Sequence, residues 1–67
     1  MAYTVKQARK LSGLTQQQMA DVLCVHRSTY IKLEENPDKI TIGQAKAISN
    51  ATGVPVDSIL FFVENST

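Results

Sequence analysis

Thr-x-x-Gln occurs three times along the chain, as Thr4 to Gln7, Thr15 to Gln18 and Thr41 to Gln44. Each can close a capping box. The threonine hydroxyl accepts a hydrogen bond from the backbone N–H three residues on, and the glutamine side chain accepts one from the threonine N–H. An apolar helical pattern follows each, so the spacing predicts three helix starts. The first helix is expected from about Val5 to Ser12, with Val5, Ala8 and Leu11 on one face and Gly13 as its stop. The second runs from about Gln16 to Leu23, with Met19, Ala20 and Leu23 as its inner stripe. The box at Thr41 opens a helix from about Ile42 to Thr52, with Ile42, Ala45 and Ile48 facing inward and Gly53 ending it.

Two further helices complete the expected architecture. One begins near His26–Arg27 and runs to about Glu35, with Tyr30 and Leu33 inward. Asn36-Pro37-Asp38 is turn chemistry, and proline prevents that helix from continuing. Pro55 opens a short fifth helix through Asp57 to about Phe62, since proline suits a helix's first turn. No stretch alternates with period two for long enough to demand a strand. The expected fold is therefore all-α: a compact five-helix bundle without a sheet, one domain over residues 1–67, with a frayed polar tail at about 63–67.

Size and composition narrow the function. A domain this small buries only roughly 60% of the surface its unfolded chain exposes, which leaves no room for a deep substrate pocket. No nucleophile–base pair, glycine-rich phosphate loop or carboxylate pair stands out, so no catalytic residue, cofactor or small-molecule substrate is expected. The single cysteine, Cys24, excludes an internal disulfide. With only His26 beside it, it gives too few ligands for a metal site, and a reducing cytoplasm is the natural compartment. No apolar run approaches the ~20 residues of a membrane span, and no membrane partner is expected. The net charge of +1 hides a split. Residues 1–33 carry Lys6, Arg9, Lys10, Arg27 and Lys32 against Asp21, a net +4, while residues 34–67 carry a net −3. Such an asymmetry can turn one face toward phosphate, and chance alone can also produce it among so few charges.

Residues 16–35 are the informative part. Two short helices are joined by a tight connection around Cys24 and Val25. Crossing them steeply needs a small residue at the crossing, which Ala20 supplies, and apolar residues inside the angle, for which Met19, Leu23, Val25, Tyr30 and Leu33 are correctly spaced. The outer face of the second helix then displays Arg27, Ser28 and Lys32 near its N-terminus, where a reader of the major groove needs donors and acceptors.

Leu14-Thr15-Gln16-Gln17-Gln18-Met19-Ala20-Asp21-Val22-Leu23, Val25 and Ser28-Thr29-Tyr30-Ile31-Lys32-Leu33-Glu34 together resemble the phage repressor and Cro family of helix-turn-helix domains. Ala47-Ile48-Ser49-Asn50-Ala51-Thr52-Gly53-Val54 is similar to that family's fourth helix and its stop. The resemblance spans about residues 4–62. It implies a lambda repressor-like five-helix fold and a cytoplasmic regulator, in a bacterium or a phage-infected host, that binds double-stranded operator DNA as a homodimer. By position, it implies that Gln16 contacts a phosphate and braces a reading residue, that Arg27, Ser28 and Lys32 meet base edges or groove walls, and that Gln17 and Thr29 belong to the same surface. It implies that His26 caps the reading helix and that Arg9 and Glu34 form a structural ion pair.

Two positions depart from the family pattern. Cys24 stands where the family has glycine in the turn, and a non-glycine residue held left-handed costs roughly 1–2 kcal/mol. His26 stands where the family has Ser or Thr; either its ring accepts the capping bond or the helix begins one residue later. Leu60, Phe61 and Phe62 cannot all enter one core. They either form a dimer surface or close the bundle. A rival reading makes the chain an antitoxin-like or regulator-binding interaction module working through these residues, since architecture alone does not fix function.

Overall fold

A computed structural model describes residues 2–61. Four α-helices form the body: α1 over Val5–Leu11, α2 over Gln16–Leu23, α3 over Arg27–Glu35 and α4 over Ile42–Thr52. Single 3-10 turns occupy Pro37–Lys39 and Val56–Ser58. All three capping boxes close. The Thr4, Thr15 and Thr41 hydroxyls accept from the N–H groups of Gln7, Gln18 and Gln44 at 3.0–3.1 Å. The three glutamine Oε1 atoms accept from the threonine N–H groups at 2.9–3.0 Å. Two of the orphan donors at each helix start are thus satisfied within four residues of chain. Ser12 is the C-cap of α1 and not its last helical residue, and Gly13 follows at φ +76°.

Among the described residues the expected fifth helix is absent. Pro55 is extended, at φ −58° and ψ 145°, and precedes only the 3-10 turn. The chain then becomes a two-residue strand β2, Ile59–Leu60, paired in parallel with β1, Tyr3–Thr4. Tyr3 lies opposite Ile59 and Thr4 opposite Leu60. The expectation of a sheet-free fold is corrected at this point. The reason lies at the far end of the sequence. An N-cap residue takes β-region dihedrals, and Thr4 does so at φ −71° and ψ 164°. The lead-in to α1 is therefore already extended and offers backbone groups for pairing. β-branched Ile59 suits a strand, and pairing buries it to 5% exposure. Phe62 and the polar tail lie outside the described residues.

The core gathers Val5, Ala8, Met19, Ala20, Tyr30, Ile48 and Ile59; Leu33 is also buried. Ala20 is fully buried, as a crossing residue must be, and Leu23 and Val25 pack half-buried against the cluster. Two expected core residues lie outside. Leu11 is 65% exposed and Ile42 77% exposed. Both were placed at a six-residue spacing from the far end of their stripe, which at about 100° per residue lies about 120° away around the helix. The buried face of α1 is instead Val5, Ala8 and Arg9, at i, i+3 and i+4.

Candidate nucleic-acid interface

The turn between α2 and α3 is three residues, Cys24-Val25-His26. Cys24 is the C-cap of α2 and takes the left-handed conformation, at φ 58° and ψ 41°. The Cys24 N–H donates to the Asp21 carbonyl at 3.2 Å, and the Val25 N–H reaches back to the Ala20 carbonyl at 3.0 Å. These bonds satisfy two of the last carbonyls of α2. Val25 packs against the core, which pins the turn. His26 is the N-cap of α3, with extended dihedrals, but its side chain makes no capping hydrogen bond. Of the two arrangements left open for His26, neither is adopted. The helix begins at Arg27, and His26 contributes its backbone only.

The positions along α3 separate into faces. Tyr30 and Leu33 are buried. Stepping about 100° per residue, the opposite side of the helix centres on Ser28, with Lys32 next to it one turn on. Arg27 and Thr29 flank Ser28 on either side, and His26 precedes them. His26, Arg27, Ser28, Thr29 and Lys32 are all exposed: Ser28 and Lys32 lie on the side of α3 away from the core, Arg27 and Thr29 lie to either side of that strip, and His26 stands just before the helix. Glu35 continues the Ser28–Lys32 strip and is also exposed, although it is not among the residues expected at this surface. It sets a negative charge at the C-terminal end of a strip whose N-terminal end is positive.

The α2 side is divided between its first two residues. Gln17 is exposed, and its Nε2 donates to Asp21 Oδ1 one turn along the same helix at 3.0 Å. Gln16 is half-buried, and its Nε2 donates across to Glu34 Oε1 on α3 at 3.1 Å.

Beneath this surface lies a buried polar frame. Arg9 Nε donates to Glu34 Oε2 at 2.6 Å, with side-chain exposures of 9% and 5%. Arg9 Nη1 donates to the Leu14 carbonyl at 3.0 Å, and the Tyr30 hydroxyl donates to Glu34 Oε2 at 2.6 Å. Burial alone would raise the Glu34 carboxyl, but the donors from Arg9, Tyr30 and Gln16 outweigh it and hold the carboxyl below its ordinary range. Burial, and the bond to an ionised Glu34, push the Tyr30 hydroxyl well above the usual tyrosine range, so it remains a donor. Burial would likewise lower Arg9, yet its hydrogen bond to Glu34 and that charge leave it raised. Among the described residues no buried side-chain polar atom lacks a partner. The frame ties α1, the α1–α2 loop, α2 and α3 together, which fixes the angle at which α3 is presented. The sequence carried one local sign of it: Tyr30 and Glu34 are one helical turn apart.

Near the C-terminal end of the described residues, Leu60 is 47% exposed. Phe61 is half-buried and lines an open apolar depression of about 330 Å³ with Ile42, Ala45 and Val56. No helix among the described residues is long and apolar enough to cross a membrane. No group of three or more His, Cys, Asp or Glu side chains among them is arranged to hold a metal ion.

A helix-turn-helix family model matches residues 5–59, most of the chain. No curated protein and no solved structure matches.

Proposed function

The chain belongs to the phage repressor and Cro-like helix-turn-helix family, and on that premise we propose that it is a sequence-specific transcriptional regulator of the Cro or repressor type, reading operator DNA in the major groove with α3. Membership makes it a DNA-binding regulator in general terms. The observation that supports the finer reading is the exposed Ser28–Lys32 strip of α3, with Arg27 and Thr29 beside it and His26 just before it, on a helix tied to α1 and α2 by the Arg9–Glu34–Tyr30 frame. Arg27 stands in the first turn of α3, where a guanidinium can donate two parallel hydrogen bonds to guanine O6 and N7. Lys32, a turn deeper, is suited to phosphate or to a groove wall. At the start of α2, Gln16 and Gln17 face the adjoining backbone.

A second copy would dock through Leu60 and the Phe61 side of the molecule, so that two α3 helices enter successive major grooves of a two-fold site. The exposed Leu60 and the apolar depression beside Phe61 support this. The same surface also favours the rival reading of an interaction module. Selection of bound sites from random duplex DNA separates the two. A shared motif with two-fold character is expected, and enrichment of no sequence would leave the interaction module as the better account.

A further inference from the structure

Glu34 lies between the buried frame and the DNA-facing edge of α2, and its two oxygens have different partners. Oε2 accepts from Arg9 Nε and the Tyr30 hydroxyl. Oε1 accepts from Gln16 Nε2 at 3.1 Å, and Gln16 is the first residue of α2. Its donors hold the Glu34 carboxyl below the usual range, so it is ionised at neutral pH. An ionised carboxylate only accepts, and therefore the nitrogen end of the Gln16 amide must be the end that faces it. Gln18 is occupied by its capping box and Gln17 by Asp21 in its own helix. Among the glutamines of α2, Gln16 alone is tied to α3 within the described residues.

We propose that Glu34 is a positioning residue for DNA binding: through Oε1 it holds the Gln16 amide in one orientation at the start of α2 before DNA arrives. This rests on the reading of α2 and α3 as the DNA-binding pair. A glutamine free to sample its rotamers must be ordered when it meets a phosphate, whereas one already held is not. Glu34 does not itself reach DNA. Its side chain is 5% exposed and its charge is matched by Arg9. It acts only through Gln16, whose remaining amide hydrogen and Oε1 stay free for the duplex.

The test is a double-mutant cycle on affinity for the selected duplex, with the full chain, Gln16→Ala, Glu34→Gln and the double variant. Each is assayed well below its melting temperature, with helicity checked by circular dichroism. With Gln16 present, Glu34→Gln is expected to weaken binding by about two- to tenfold, the cost of ordering one side chain. In the Gln16→Ala background the same change is expected to have little effect. Equal factors in both backgrounds would overturn the proposal and leave Glu34 a purely structural residue. If Glu34→Gln does not fold, NMR relaxation of the Gln16 side-chain amide in the DNA-free parent chain decides. A restrained amide supports the proposal, and one that reorients freely overturns it. Failure of the DNA-binding reading has a different signature: no duplex is selected and Arg27→Ala alters nothing, and the proposal falls with it.

Discussion

Replacing Cys24 with glycine tests the turn that sets the angle between α2 and α3. Cys24 sits at φ 58° and ψ 41°, where an L side chain's Cβ crowds the following carbonyl at a cost of roughly 1–2 kcal/mol. Glycine has no Cβ and loses that penalty. It also gives the unfolded chain more freedom, which offsets roughly 0.4–1 kcal/mol of the gain. The thiol is exposed, so its deletion removes little buried surface. The balance is a stabilisation of about 0.5–1 kcal/mol, or about 2–8 °C in Tm for a domain of this size. Thermal and urea unfolding of the parent chain, Cys24→Gly, Cys24→Ala and Cys24→Val would measure it. Alanine keeps the Cβ and should match cysteine closely, while β-branched valine should melt lowest. A glycine variant melting below the parent, with an unchanged urea slope, would refute the reasoning. So would an alanine variant that shared glycine's gain, because the strain would then belong to the thiol and not to the backbone.

Arg9→Ala should destabilise the fold by about 3–5 kcal/mol, since it leaves the Glu34 carboxylate buried without its cation; urea unfolding checks this. Glu34 has its carboxyl lowered in the folded state, so the stability it contributes is complete above the ordinary glutamate value of 4.5 and is lost as pH falls toward the folded value. Acid titration of the melting temperature should show that limb in the parent chain, and Glu34→Gln should lack it. Arg27→Ala should cost about 1–3 kcal/mol on the preferred duplex and flatten the preference at one base pair. Lys32→Ala should instead weaken all duplexes alike and reduce the salt slope by about one unit; affinities at several salt concentrations separate the two. Sedimentation equilibrium should give two chains per two-fold duplex, and Leu60→Asp should reduce that to one.

The features legible in the sequence are those whose cause is local. A capping box is complete within four residues, so Thr4, Thr15 and Thr41 mark their helices without any knowledge of the tertiary fold. The left-handed conformation of Cys24 is hinted at only by the glycine that the resembled family has at that position, not by any local pattern. Pro55 misled because the rule for proline in a first turn is also local, whereas the fate of Ile59 is decided by Tyr3 at the other end of the chain. Leu11 and Ile42 lie off the buried face because two successive three-residue steps overshoot it, whereas the buried stripe returns at i+3 and i+4. The Arg9–Glu34 pair was suggested by family resemblance and not by spacing. The Gln16–Glu34 bond depends on how closely α2 and α3 approach, which no pattern within either helix encodes.

The β1–β2 pairing bears on how the molecule comes apart. It joins two segments separated by nearly the whole length of the chain, whereas α2 and α3 meet across a three-residue turn. The entropy of closing so large a loop opposes an early role for the strands, so the helix pair is expected to be structured in the transition state and the strands to join afterwards. Substitutions at Tyr3 or Ile59 should then accelerate unfolding and leave the folding rate nearly unchanged. Thr4 belongs both to β1 and to the cap of α1, so parting the strands also loosens the first turn of that helix. Amide exchange should accordingly begin at this seam between the two ends of the chain and reach α2 and α3 last.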